Sequence, residues 1–484
     1  MPDRYHIHTV PTPGRFYRTG KFGGIDWRED CSRCANCVKL RCCFDVYAHE
    51  GVHNRDPLAP IGTLNECKAC FSCVQGCTKG LLSLSVNPEF LEMGDDYWTP
   101  DILLSTWNQA DSGKIPVSGA GYRGRFHGPG FDSIWTDMSE IVRPTRDGIH
   151  GREYISTSVD IGPKPMRLCF SPEGRLLSPP AELLELQLPA VLDLDPRIDS
   201  NSRLARARAM AARDLRTVAM VAAAEAAGLS PDLRPFVVPV FRGGDAPELG
   251  AIEAVDRMAE LVDGPGLIAL AEAVRAATPG AILSIRLRLA PGTGDRVMAL
   301  FRAGFRVFHL SADLHGRMQG EDGSAGPHIK DALRVIHGDL VGAGVRDEVT
   351  LIVSGGIALA EHMAKSILCG ADLVGVDTAL SVALGCRVCR GNGPLQGEAG
   401  GDGAASSCSR CPAGIDGADA AYAARRMVNL MGAWHSQLIE VLGAMGIREV
   451  RRLRGEMGRA IFMEEIEKEA FGDLLRVTGG QGVA

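Results

Sequence analysis

Nine of the chain's fifteen cysteines fall between positions 31 and 77, in two runs of matching spacing. Cys31, Cys34 and Cys37 open the first run, which continues to Cys42 and Cys43; Cys67, Cys70, Cys73 and Cys77 form the second. A two-residue gap between cysteines lets three thiolates converge on one compact centre, and a Cys-x2-Cys-x2-Cys-x3-Cys run is a way of holding iron–sulfur clusters. The second run has that form in full. The first has one residue more before Cys42, and Cys43 stands beside it as the alternative fourth ligand. Phe44 and Thr78 occupy the places where a proline usually follows the fourth cysteine. A zinc knuckle and a disulfide framework are the other readings that such spacing admits.

In bacterial two-cluster ferredoxins the fourth cysteine of each run serves the other cluster. That rule pairs Cys31, Cys34 and Cys37 with Cys77, and Cys67, Cys70 and Cys73 with Cys42 or Cys43. Two [4Fe-4S] clusters are therefore expected in a small α+β ferredoxin-like domain over residues 1–88, where metal binding compensates for a small apolar core.

The chain has 484 residues, enough for two or three domains. A mean hydropathy of +0.01 and a net charge of −7 suit a soluble globular protein with no basic surplus to attract nucleic acid or anionic membranes. No run of eighteen apolar residues occurs, so no membrane span is expected. Thiolates without an export signal point to the reducing cytoplasm. Residues 89–165, dotted with proline and glycine, read as an extended connector. Residues 197–227, rich in Ala, Arg and Leu, read as one long helix ending at Gly228, with the apolar stretch from Val218 inside it.

From Ala281 onward, strands and helices alternate. Strands are expected at Ala281–Leu289, Arg306–Ala312, Val349–Val353 and Ala371–Val376, with helices at Asp295–Gly304, His328–Gly344, Leu359–Gly370 and Ala379–Gly385. Such alternation implies parallel βαβ units, and the fold class expected for residues 166–385 is an α/β (β/α)8 TIM barrel with its site at the C-terminal ends of the strands. Residues 386–484 carry a cysteine loop and then helices.

Two glycine spots follow the last two expected strands: Ser354-Gly355-Gly356, and Gly375 with Asp377 and Thr378. Glycine turns after barrel strands 7 and 8 present backbone N–H groups at which a phosphate often sits; plain turn glycines are the alternative. Just beyond lie Cys386, Cys389, Cys408 and Cys411, whose spacing fits either zinc or a third iron–sulfur cluster. Cys169 and Cys369, isolated among apolar neighbours, read as buried thiols. Gly119, Gly121 and Gly124 match a Gly-x-Gly-x-x-Gly pattern, but the Arg125-Phe-His-Gly-Pro-Gly that follows argues against the helix a dinucleotide site needs, so such binding is not expected there. His315 and His328 flank a polar loop at a strand end and read as solvated or internally satisfied histidines rather than ligands.

Three segments resemble the flavin-binding synthase domain of glutamate synthase, in the archaeal-type form with an N-terminal ferredoxin module. The first is Tyr97-Trp98, Gln109-Ala110-Asp111, Gly113-Lys114, Phe131-Asp132, Arg143-Pro144, Asp147, Arg152-Glu153 and Thr157; the second is Ser354-Gly355-Gly356-Ile357, Gly370-Ala371-Asp372, Gly375 and Leu384-Gly385-Cys386; the third is Cys411-Pro412-Ala413-Gly414, Asn429 and Leu442-Gly443. The resemblance implies FMN in the barrel, its phosphate at Gly355, Gly356 and Gly375. It also implies a [3Fe-4S] cluster on cysteines similar to Cys386, Cys408 and Cys411; Cys389 adds a thiol that would suit [4Fe-4S]. Arg286 stands where the family has a flavin-site lysine. The family's first-strand Met-Ser-Phe-Gly-Ala run and its Lys-Pro-Gly-Glu-Gly-Gly and Gly-Gly-Thr-Gly loops have no counterpart here.

The implied activity is electron passage through iron–sulfur clusters to FMN and on to an imine-like acceptor. In the family this turns 2-oxoglutarate plus ammonia into glutamate. An electron-transfer subunit of a larger redox complex is the alternative. The implied partners are a redox protein, either a ferredoxin or an NAD(P)H-oxidising subunit, and an ammonia-supplying glutaminase subunit.

Overall fold

The computed structural model describes residues 5–16, 19–32, 34, 40–43, 70–115, 128–136, 155–164, 168–177, 182–198, 201–242, 249–319, 325–389 and 413–478. Eight parallel strands close into a barrel in simple sequential order. They are β1 (Ala190–Leu192), β2 (Ala219–Ala222), β3 (Val237–Phe241), β4 (Met258–Val262), β5 (Ile282–Arg288), β6 (Val307–Ser311), β7 (Thr350–Ser354) and β8 (Leu373–Val376). Ring closure comes from β8 against β1, with Gly375 opposite Val191. The sequence expectation of an α/β TIM barrel is thus met, and β5 to β8 fall where the alternation places them.

The first half of the barrel corrects the sequence reading. Residues 197–227 are not one helix: a helix spans Ser202–Leu215 and ends at Arg216 in the left-handed conformation (φ 50°). The stretch from Val218 holds β2, whose Ala219, Met220 and Val221 are fully buried. A short continuous apolar run has no period to separate strand from helix, and barrel packing overrides the helix preference of alanine.

The connector is likewise more ordered than expected. Pro100–Ser112 is a helix, with Pro at its first turn, Asp101 beside its N-terminus and Gly113 (φ 68°) at its end. A hairpin of Val159–Ile161 with Leu184–Leu186 buries Ile161, Leu184 and Leu186. Thr350, at the start of β7, donates its hydroxyl to the Gly162 carbonyl, so this hairpin closes the N-terminal end of the barrel.

The 25-residue helix Ala420–Ala444 packs against Pro100–Ser112 and Ser202–Leu215. Its polar side chains bind the connector: Trp434 Nε1 donates to Gln109, Asn429 Nδ2 to the Ala110 carbonyl, and Arg426 Nη1 to Asp111. Tyr97 donates its hydroxyl to the Gly356 carbonyl at 2.6 Å, and Trp98 Nε1 donates to the Leu314 carbonyl at 2.9 Å. The connector residues that carry the family likeness are thus clamps on the barrel's upper loops. Cys169 is exposed, contrary to the expectation of a buried thiol, whereas Cys369 is buried, and burial pushes its thiol up to about 12.

Candidate active site in the barrel mouth and cysteine centres

Inside the upper barrel, apolar strands carry an ionic cluster. Arg286 of β5 donates Nε to Glu260 of β4 at 2.5 Å and Nη2 to Asp193, which follows β1. His309 of β6 places Nδ1 2.7 Å from Glu260 Oε2 and Nε2 3.0 Å from the Ser354 hydroxyl. Asp193, Glu260, His309 and Ser354 are all buried to within 1% exposure, so their mutual bonds replace water entirely. Burial opposes the charge on each carboxylate, but Arg286 and His309 outweigh it and hold Asp193 and Glu260 below the ordinary carboxylate range. Burial also opposes the charge on Arg286, and the two carboxylates outweigh that in turn.

Sequence reading found Arg286, Ser354 and Gly375, and the structure brings these three together. It missed Asp193, Glu260 and His309. Their signal was a lone charged or titratable side chain in or at the end of a short apolar strand, as in Met-Ala-Glu-Leu-Val. Gly375 lies beneath the cluster: a Cβ there would stand 2.9 Å from Ser354 Cβ, 3.1 Å from Asp193 Oδ2 and 3.2 Å from His309 Nε2. Gly375→Ala is therefore expected to cost about 1–3 kcal/mol of stability, read as a lower urea midpoint at unchanged slope; an unchanged midpoint would show that the cluster has room to give.

Gly355 (φ 95°) and Gly356 (φ 70°) face elsewhere. A Cβ on Gly355 would meet the Asp313 carbonyl at 2.6 Å, and one on Gly356 the Gly316 backbone at 2.6 Å. This glycine pair lets the β7 loop pack onto the β6 loop. Asp377 caps the short helix Thr378–Ala383 through the Thr378 N–H. Burial and the charges of Asp195 and Asp193 push its carboxyl up to about 7. The Thr378 hydroxyl is buried with no hydrogen-bond partner, as is Asp193 Oδ2.

Over these loops lies an aromatic–histidine cluster. His328 accepts the Lys330 N–H at Nδ1, so Nε2 carries the proton in the neutral ring, 3.4 Å from the Tyr97 hydroxyl. Phe131 meets its ring edge-on at 4.8 Å. Burial, with Lys330 nearby, pushes His328 down to about 3. The unfolded chain binds that proton near pH 6.5 while the folded one refuses it, so stability is lost as pH falls from about 6.5 toward 3. His328 is expected to contribute about 2 kcal/mol of loss between pH 7 and pH 5. His315, held above its ordinary value by Asp95, acts in the opposite sense. His328→Gln should flatten the pH dependence of the urea midpoint in that window; a slope identical to that of the wild type would count against this assignment.

The cysteine centres are partly described. Phe22–Trp27 pairs antiparallel with Leu82–Val86, and the Arg28 N–H donates to the Leu81 carbonyl. Cys31 and Cys77 therefore flank the same end of one ribbon. Backbone N–H groups, that of Leu81 foremost, hold the Cys77 thiol below its ordinary range. Cys43 Sγ lies 3.6 Å from Cys70 Sγ. This close approach favours Cys43 over Cys42 as the partner of the second run, to which the buried Cys73 also belongs. Cys34 is exposed. Cys386 is buried beside Arg197, whose Nη1 is 3.9 Å from its sulfur, while Cys389 is exposed. Arg15 donates to the carbonyls of Leu384, Ala413 and Gly414, joining the two ends of the cysteine loop. Cys37, Cys67, Cys408, Cys411 and the glycines at 119, 121 and 124 lie outside the described residues.

A family model described as the conserved region in glutamate synthase matches residues 322–448. An archaeal-type glutamate synthase [NADPH] of Dehalococcoides mccartyi is 23% identical over 505 residues, covering 89% of this chain and 93% of that one. The archaeal glutamate synthase [NADPH] of Archaeoglobus fulgidus is 24% identical over 98% of both chains. Along nearly its whole length the chain is thus similar to archaeal-type glutamate synthases. Locally the likeness is closer: a glutamate synthase of Methanocaldococcus jannaschii is 36% identical over 146 residues, 30% of this chain and 28% of that one. Among solved structures, a mandelate oxidase mutant with an FMN monooxide adduct aligns at 17% identity and a TM-score of 0.40, covering 76% of this chain and 93% of that one. The barrel itself rests on the chain's own strand pairing. Among the described residues, no helix is long and apolar enough to cross a membrane.

Proposed function

We propose that this protein is an iron–sulfur flavoprotein oxidoreductase of the glutamate synthase type. The observation that carries the reading is the likeness to archaeal-type glutamate synthases along nearly the whole chain, cysteine module included. Electrons would enter at two clusters on the N-terminal cysteines and cross a third centre at Cys386. They would serve reduction of an imine-like acceptor formed from 2-oxoglutarate and ammonia.

The residues present fit FMN at the ends of β8 and β1, where the Thr378 hydroxyl is buried with no hydrogen-bond partner and so can meet a polar ligand. Gly355 and Gly356, in a glycine turn at the end of β7, would offer backbone N–H groups to its phosphate. When bound, FMN supplies hydride chemistry, while the protein supplies orientation and electrostatics. Arg286, fixed by Glu260 and Asp193, would present a cation whose position is set before any ligand arrives. His309, hydrogen-bonded to Glu260 and Ser354, is placed to hold or pass a proton between them. The β6 and β7 loops, clamped by Tyr97 and Trp98, would exclude water from the site.

Iron and flavin quantitation with EPR on anaerobically purified protein tests the cofactor set. Two [4Fe-4S] signals, a third cluster signal and stoichiometric FMN support the reading; protein lacking FMN would sink it. The alternative of an electron-transfer subunit is not favoured by a likeness that runs through the whole of the curated synthases. A redox partner and an ammonia source remain part of the proposal.

A further inference from the structure

The loop that follows β1 reaches two centres. Asp193 pairs with Arg286 in the barrel mouth, while Asp195 and Arg197 turn toward the cysteine loop. Arg197 is buried, and its guanidinium is divided between two acceptors. Nε and Nη2 donate to the two oxygens of Asp195, at 2.9 and 2.6 Å, which leaves Nη1 facing Cys386 Sγ at 3.9 Å. Paired bonds of this kind fix the plane of a guanidinium. Burial opposes the charge on Asp195, but Arg197 outweighs it and holds the carboxyl below its ordinary range. Asp195 is thus a positioning residue for the cation. A second donor meets the same sulfur: the Val388 N–H, at 3.5 Å. Val388 is buried and has φ 46°, a left-handed backbone that a β-branched residue rarely adopts. Such strain persists only where the surroundings impose it, and it gathers at functional sites. A neutral thiol is a weak acceptor. A fixed cation and a strained backbone donor converging on one sulfur suit a thiolate, the form that binds metal. This donor set therefore fits a cluster ligand at Cys386.

We propose that Arg197 sets the reduction potential of the third iron–sulfur centre, its guanidinium favouring the reduced state through the sulfur of Cys386. The inference deepens the functional reading and rests on it for the presence of that centre. The potential of such a cluster follows its net charge, the hydrogen bonds to its sulfurs and its exposure to solvent. An added electron increases the negative charge shared by the cysteine sulfurs, so a cationic donor at one of them raises the potential. Asp195 offsets the charge of Arg197 at a distance, but the edge of the pair that faces the sulfur is the positive one. A raised potential lets this centre collect electrons from the N-terminal clusters.

The test uses the full chain, purified anaerobically, as wild type, Arg197→Lys, Arg197→Gln and the double variant Arg197→Gln with Asp195→Asn. The double variant removes both charges together and strands no buried anion, so it serves where Arg197→Gln alone does not fold. Redox titration followed by EPR gives the midpoint of each cluster, and iron analysis gives the cluster content. At the wild-type midpoint of the third cluster, its reduced-to-oxidised ratio should fall about tenfold in Arg197→Gln and in the double variant, a midpoint lower by about 59 mV for one electron. Arg197→Lys should keep part of the difference. The N-terminal clusters should titrate as in wild type, a selectivity that a merely structural arginine would not produce. An unchanged midpoint in variants that hold the third cluster would overturn the proposal. Loss of that cluster from all three variants, with or without the fold, would make Arg197 a structural residue and overturn it too. A wild type holding only the N-terminal clusters would instead defeat the third centre of the functional reading, and the inference with it.

Discussion

Arg286→Leu is expected to destabilise the protein by about 3–5 kcal/mol, enough to leave a marginal domain largely unfolded at 37 °C. Arg286 is the cation shared by Asp193 and Glu260, and both carboxylates are buried to within 1% exposure. Removing it leaves two buried anions facing only His309, and a single imidazole cannot neutralise both. A double variant, Arg286→Leu with Glu260→Leu, should regain part of the loss, because each single change strands a charge that the double change removes. Urea unfolding of the three variants measures the coupling. A single-variant loss below about 1 kcal/mol would mean that water reaches the cluster, contrary to its burial.

Cys43→Ser is expected to remove one of the two N-terminal clusters, lowering iron by about four atoms per chain, whereas Cys42→Ser should leave iron content unchanged. The contrast comes from geometry: Cys43 Sγ approaches Cys70 Sγ to 3.6 Å. Iron analysis and EPR of the two variants separate the cases. Retention of iron in Cys43→Ser with loss in Cys42→Ser would reverse the assignment and make Cys42, the shorter of the two spacings from Cys37, the ligand.

Half of the barrel was legible in the sequence because its second half is written in long, well-spaced units. Ile282–Arg288 alternates strongly, and the helix after β6, Ile329–Gly342, is fourteen residues long. The first half is written in short strands without period. β1 is three residues long, β2 is mostly alanine, and β3 carries Pro239, which by itself argues against an interior strand. Packing against the closed ring decides these elements, and no local window contains that information. The site divided in the same way. Arg286 and Gly375 stood in recognisable motifs, whereas Glu260 and His309 gain meaning only when the strands bring them to one place. The Gly355-Gly356 pair was legible as a glycine turn, and positive φ and close backbone contacts show the additional reason for glycine there, the packing of two loops.

Anaerobic protein reduced with dithionite should convert 2-oxoglutarate and ¹⁵N-ammonium into ¹⁵N-glutamate, with reoxidation of the bound cofactors in step with product. Full reduction of clusters and flavin without any labelled glutamate would contradict the glutamate synthase reading.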